Sequence, residues 1–259
     1  PTTTTTGPTA NTAVAVELET VKNVSYDEMN ALDVYMPIDG RTARTAVLVL
    51  IEAPFRLGFD RLVDALTAEG VAVVIVNWTG DPSLAAVEGV ACAVRFVRVN
   101  ADSYGVDPER IILIGHSGSA SVAALIALGG DHFSDVACEA AGVSALPNAY
   151  LGLAGSYDPA NHPADPRLPF LTSDPDLYAA LNPVSYLGEN PEIEIRLIHG
   201  DADEIIPVVS AVSFEKVLRD AGYSVNLTVL EGSGHGLLVS GSVAEFQVTI
   251  DEILAAAGG

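Results

Sequence analysis

Ser117 stands in the string Gly115-His116-Ser117-Gly118-Ser119, directly after the apolar run 111–114 and directly before a helical pattern. A serine on a strand-turn-helix junction presents its hydroxyl at the tip of the turn, where it can attack a carbonyl carbon. Such a turn is strained and crowded by its neighbours, so small residues are needed at 115 and 119. The usual G-x-S-x-G pattern ends in Gly, and Ser119 is a sterically small departure from it. A serine hydroxyl is a weak nucleophile at neutral pH and needs a base within hydrogen-bond reach, itself oriented by a carboxylate. Both are present further along. His199-Gly200-Asp201-Ala202-Asp203 follows a strand expected over 193–198, and Gly232-Ser233-Gly234-His235-Gly236 follows the next, expected over 225–230. Asp203 is the expected acid, with Asp201 a rival two positions earlier, and His235 is the expected base. The other histidines fit less well: His116 is locked beside the serine, His199 ends a strand, and His132 and His162 lie in polar loops. One match of this kind arises easily by chance. Three in the order Ser, Asp, His, each after a successive strand, do not.

For these three side chains to meet, the strands that precede them must lie side by side and point the same way. The patterning predicts that arrangement. Stretches 13–24 and 31–38 are rich in β-formers and flank a turn-like segment, which predicts an antiparallel hairpin at the start. Runs 45–53 and 71–78 are almost wholly apolar, as strands buried on both faces are. Between them residues 60–69 carry helical spacing at Leu62, Val63 and Leu66, with Gly70 suited to the C-terminal cap. The alternation repeats with helices over 83–100, 119–128, 208–221 and 243–256, and strands over 111–114, 150–154, 193–198 and 225–230. Strands alternating with helices predict a mostly parallel sheet of about eight strands with helices on both faces. Residues 12–259 read as one such domain, and residues 1–11, Thr-rich and without apolar periodicity, as a flexible leader. Residues 156–186 break the rhythm with six prolines and several aspartates. The segment reads as a small cap over the site or as a passive surface loop, with a short helix near 175–181.

Composition narrows the partners. With 34 acidic and 12 basic residues in 259, the formal net charge is −22, and Lys22 and Lys216 are the two lysines. Such a surface repels nucleic-acid phosphates and anionic lipid headgroups, so neither is an expected partner. Halophilic adaptation is one source of this composition among several. Apolar residues make up 49% of the chain, enough for a large core, yet no apolar run approaches the ~18 to 20 residues of a membrane span. The chain begins without Met and carries two cysteines. Both features are compatible with a processed protein in an oxidising compartment, so a secreted or extracytoplasmic location is the expectation.

Several of these strings, taken with Leu32-Asp33-Val34-Tyr35-Met36-Pro37, Asp107-Pro108-Glu109-Arg110-Ile111 and Asn182-Pro183-Val184, resemble the small serine esterases of the α/β-hydrolase superfamily. The similarity is to the carboxylesterase, feruloyl esterase and kynurenine formamidase group, and it covers nearly the whole chain after about residue 20. The resemblance implies an α/β-hydrolase fold and hydrolysis of a small-molecule ester through an acyl-enzyme on Ser117, the alternatives being an amidase, formamidase or peptidase of the same superfamily or a catalytically silent binding protein of that fold. It implies no metal and no cofactor, and it does not fix the oligomeric state.

One motif departs from that group. Its members carry His-Gly-Gly-Gly-Trp or a near variant after the third strand, where backbone N–H groups help form an oxyanion hole. Here the aligned residues are Ile51-Glu52-Ala53-Pro54-Phe55, and Pro54 has no N–H to donate. The expected donors are Gly118, immediately after the nucleophile, and Ala53, with Phe55 and then Glu52 as alternatives. Losing one such donor raises a barrier by about 2.7 to 4 kcal/mol. Glu52 is expected to face outward or to contact a substrate group, and Phe55 to line the substrate site. Trp78, at a strand end on the same sheet edge, lines the acyl or alcohol pocket or belongs to the core. In such a sheet Cys92 and Cys138 fall on neighbouring elements, so a disulfide is expected, the alternative being two buried thiols.

Overall fold

The computed structural model describes residues 17–27, 30–41, 44–52, 59–78, 83–134, 138, 140, 142–157, 174–236 and 241–258, the side chains of residues 51 and 52 excepted. The expected leader 1–11, residues 53–58 and most of the expected cap lie outside the described residues.

Eight strands form one sheet: β1 (Leu18–Ser25), β2 (Ala31–Pro37), β3 (Arg44–Glu52), β4 (Ala72–Trp78), β5 (Val106–His116), β6 (Ala149–Leu153), β7 (Glu194–Gly200) and β8 (Val225–Leu230). Their order across the sheet is β1-β2-β4-β3-β5-β6-β7-β8. The first hairpin is antiparallel, β2 also runs antiparallel to β4, and every pairing from β4 to β8 is parallel. A parallel neighbour requires a crossover, and helices supply it: α1 (Asp60–Ala68), α2 (Leu84–Val99), α3 (Gly118–Gly129) and α5 (Val209–Asp220), with the short α4 (Pro175–Ala180) between β6 and β7, while α6 (Val243–Ala256) follows β8.

The near-continuous apolar runs bury both faces of the central strands, because successive side chains point to opposite sides. Leu48, Leu50, Ile111 and Leu113 pack with Val94 of α2, Ala123 of α3 and Phe214 of α5. Val47, Val49, Ile112 and Ile114 pack on the other face with Leu62 and Leu66 of α1 and Phe246 and Ile250 of α6. Helix starts follow local chemistry: the Ser83 hydroxyl accepts from the Ala86 N–H at α2, and Ser242 with Glu245 forms a capping box at α6.

The patterning places β5 at 111–114, but the strand begins five residues earlier, at Val106. Its extra residues contain Pro108, and the pairing with β3 shifts register between Arg44 and Ala46. A proline is tolerated where a ladder is already irregular, so the local sequence hides a strand that tertiary pairing creates.

The expected disulfide joins Cys92 of α2 to Cys138. It fastens a loop that α2 also grips through two guanidinium groups. Arg95 donates to the carbonyls of Val143, Phe133 and Gly130, and Arg98 to those of Pro108, Ser144 and Leu146. Among the described residues no helix is long and apolar enough to cross a membrane.

Candidate active site

Ser117 sits between the end of β5 and the start of α3 with φ +59° and ψ −128°. A residue with a side chain is disfavoured there by roughly 1–3 kcal/mol, so the surroundings must hold it. The Ser117 N–H donates to the Leu153 carbonyl on β6 at 2.9 Å, and the Ser117 carbonyl accepts from Ala120 at 3.1 Å. Gly115 is required by close approach: a Cβ there would collide with the backbone carbonyl of Ser119. The first turn of α3 is clamped on two sides. Trp78 Nε1 on β4 donates to Ser119 Oγ at 3.0 Å, and the Tyr150 hydroxyl on β6 donates to the Ala120 carbonyl at 2.7 Å.

The loops after β7 and β8 bring the other two expected residues to this turn. His235 Nε2 is 2.9 Å from Ser117 Oγ, and His235 Nδ1 is 2.8 Å from Asp203 Oδ2. The carboxylate can only accept, so Nδ1 carries the proton and Nε2 is free to take one from the serine hydroxyl. Asp203 Oδ1 accepts from the N–H groups of Ile205 and Ile206, each at 2.9 Å. Burial pushes the Asp203 carboxyl up, but hydrogen bonds from His199, His235, Ile206 and Ile205 outweigh it and hold the group well below the usual carboxylate range. The anion that orients His235 is therefore present at neutral pH.

Asp201, the rival acid, points elsewhere: it accepts from the Gly232 N–H at 2.6 Å and so ties the loop after β8 to the loop after β7. Gly200 lets the two loops meet, since a Cβ there would collide with the carbonyl of Ser233.

His116 precedes Ser117 in the chain and packs beside His235. Its Nε2 donates to the His235 carbonyl at 2.8 Å, and the two rings pack with centroids 5.0 Å apart. Burial pushes His116 down to about 4; the hydrogen bond to His235 opposes this, and the nearby His235 ring adds to it. The linkage has a definite sign. Between pH ~6.5 and ~4 the unfolded chain binds a proton at this site that the folded chain refuses, so folding stability falls as pH drops through that window and levels off below it. Urea denaturation at pH 7 and pH 4.5 is expected to show a larger loss for the native sequence than for His116→Gln. Equal losses would refute the assignment.

Of the remaining expected site residues, Gly118 opens α3, so its N–H is one of the helix's unpaired first-turn donors. Glu52 ends β3 in register with Trp78 of β4, and Leu50 lies opposite Gly115 of β5, so the chain leaves β3 level with the Ser117 turn. Ala53 and Phe55 lie outside the described residues. Trp78 is 2% exposed and packed in the core, the second of the two places expected for it, and its indole N–H holds the Ser117 turn through Ser119. Its size and apolar ring favour burial once the indole N–H has a partner. Among the described residues no group of three or more His, Cys, Asp and Glu side chains is placed to hold a metal ion.

A mostly parallel eight-stranded sheet, covered by helices and presenting a serine on the turn after its central strand, defines an α/β-hydrolase fold. The comparisons agree. Residues 32–146 match the family model described as BD-FAE. The esterase LipQ of Mycobacterium tuberculosis is 28% identical over 246 residues, which cover 83% of this chain and 56% of LipQ. The chain spans about half the length of the curated relatives it matches. Among solved structures, a truncated carbohydrate esterase from gut microbiota superposes with TM-score 0.78 at 21% identity, over 95% of this chain and 98% of that one. A butyrate-bound thermophilic esterase from the planctomycete Thermogutta terrifontis superposes with TM-score 0.73 at 20% identity, over 95% and 96%. In sequence and in fold, the chain resembles esterases of the α/β-hydrolase superfamily.

Proposed function

We propose that the chain is a serine carboxylesterase that hydrolyses short-chain acyl or aryl esters through an acyl-enzyme on Ser117. The observation that carries this reading is the continuous hydrogen-bonded chain from Ser117 Oγ through His235 to Asp203. In the acylation step Ser117 Oγ attacks the ester carbon while its proton passes to His235 Nε2, and Asp203 stabilises the imidazolium. The carbonyl oxygen, now an anion, is met by the N–H of Gly118 and by one donor from the loop after β3, assigned to Ala53. Collapse expels the alcohol, which takes the proton from His235. A water molecule then repeats the sequence on the acyl-enzyme and releases the acid.

The small size of segment 156–186, read as a cap, suits short acyl groups better than long lipid chains. Phe55 and Glu52 are assigned to the substrate side of the same loop. The butyrate held by the Thermogutta esterase and the esterase name of LipQ support the substrate class. The acidic surface disfavours polyanionic partners, and the disulfide supports an oxidising compartment. Residues 12–259 are taken as one domain.

A fluorophosphonate probe followed by peptide mass spectrometry tests the mechanism, and the expected adduct is on Ser117. Rates on p-nitrophenyl acetate, butyrate and palmitate, set beside an aryl formamide and a dipeptide, test the substrate. The two short esters are expected to turn over fastest. An unlabelled protein would sink the nucleophile, and turnover of amides alone would sink the ester.

A further inference from the structure

His199, the penultimate residue of β7, takes no part in the proton path above, yet it is fully buried against it. Its Nε2 lies 2.8 Å from the Ile206 carbonyl oxygen and 3.4 Å from Asp203 Oδ2, and its Nδ1 has no hydrogen-bond partner among the described residues. A carbonyl oxygen can only accept, so Nε2 carries the proton and donates it to Ile206, with Asp203 Oδ2 in a longer electrostatic contact at 3.4 Å. Leaving the other ring nitrogen unpaired in the interior is unfavourable. An aliphatic side chain would fill the site without that loss. What the imidazole adds is the Nε2 donor.

We infer that His199 is a positioning residue for the proposed ester hydrolysis, bracing Asp203 Oδ2 and the 203–206 turn with one N–H so that the carboxylate stays aimed at His235 Nδ1. Each carboxylate oxygen then faces a pair of N–H groups, with Ile205 and Ile206 holding Oδ1 while His235 and His199 share Oδ2. The titratable groups around the carboxylate are His235, His199 and, across the His235 ring, His116. The inference rests on the reading of Ser117 as the acylated nucleophile.

Two polar substitutions separate the donor from the space it fills. In His199→Gln the amide nitrogen reaches the place of Nε2, whereas in His199→Asn it reaches only the place of Nδ1. The measurements are kcat and KM for p-nitrophenyl butyrate from about pH 5 to about pH 9, with fluorophosphonate labelling rates and thermal melts alongside. His199→Asn is expected to lose roughly tenfold in kcat and labelling rate with KM within about twofold. Its acid limb is expected to move to higher pH, because a carboxylate relieved of one donor favours the imidazolium more strongly. His199→Gln is expected to keep the native kcat and limb. Identical behaviour of the two variants, or a native kcat and limb in the Asn variant, would overturn the brace. Should the Asn variant not fold, the Gln variant decides alone, a native limb and kcat supporting the brace and a lowered kcat overturning it. If the native protein itself is not labelled, it is the Ser117 reading that has failed.

Discussion

Ser117→Ala, His235→Ala and the double variant are expected to fall to the same residual rate on p-nitrophenyl butyrate, roughly 10⁶-fold below the native kcat, while Asp203→Asn loses roughly 10⁴-fold. The convergence follows from the geometry. Ser117 Oγ and His235 Nε2 are 2.9 Å apart, so the serine's proton has one place to go, and removing either partner removes the same step. Asp203 acts one bond further away. Replacing its Oδ2 with an amide leaves the turn at 203–206 held through Oδ1, but presents a donor to His235 Nδ1 where an acceptor is needed. The imidazole then adopts the wrong tautomer, with its Nε2 protonated and unable to take the serine's proton. The residual rate reports what the oxyanion donors and substrate binding contribute without the triad. Steady-state kinetics with a protein concentration fixed by amino-acid analysis provides the check. Additive losses in the double variant would mean that Ser117 and His235 do not share one step, and an Asp203→Asn rate near native would return Asp201 to consideration.

The sequence exposes the site's three candidate groups because each follows a segment rich in β-forming residues, and such segments announce themselves locally. What holds those groups is less visible, since it depends on contacts between distant positions. Nothing near Trp78 indicates that its indole N–H meets a hydroxyl 41 positions later, and without that bond an aromatic at a strand end leaves both a core place and a pocket wall open. Ser119 looks like a mere departure from a glycine, yet its hydroxyl is the acceptor that lets Trp78 be buried. His199 reads as the end of a strand because its chemistry depends on the turn at Ile206 folding back over it. The start of β5 is hidden for a related reason: Val106 joins the sheet through its pairing with Arg44, and no alternation around Pro108 signals it. Local pattern thus locates the reactive atoms, while their support is written in pairings that only the assembled sheet defines.

The disulfide between Cys92 and Cys138 is a contribution to stability that can be tested directly. Cys92 and Cys138 close a loop of sequence separation 46, and the chain-entropy relation assigns such a cross-link about 4 kcal/mol through restriction of the unfolded chain. The double variant Cys92→Ala, Cys138→Ala is expected to lose that amount in urea denaturation and to melt roughly 10 °C lower. Both half-cystines are buried, so the alanine pair also leaves a small void that adds to the loss. Activity is expected to remain near native at moderate temperature. The loop that the bridge fastens runs to the residues just before β6, at the amino end of the sheet, whereas Ser117, Asp203 and His235 all sit on loops at its carboxyl end. The same loop keeps five hydrogen bonds from Arg95 and Arg98. These guanidinium contacts hold the native conformation but place no restriction on the unfolded chain, so they cannot substitute for the cross-link. A loss below about 1 kcal/mol would show that the reduced unfolded state is already compact across this loop, and would assign its stability to the arginines.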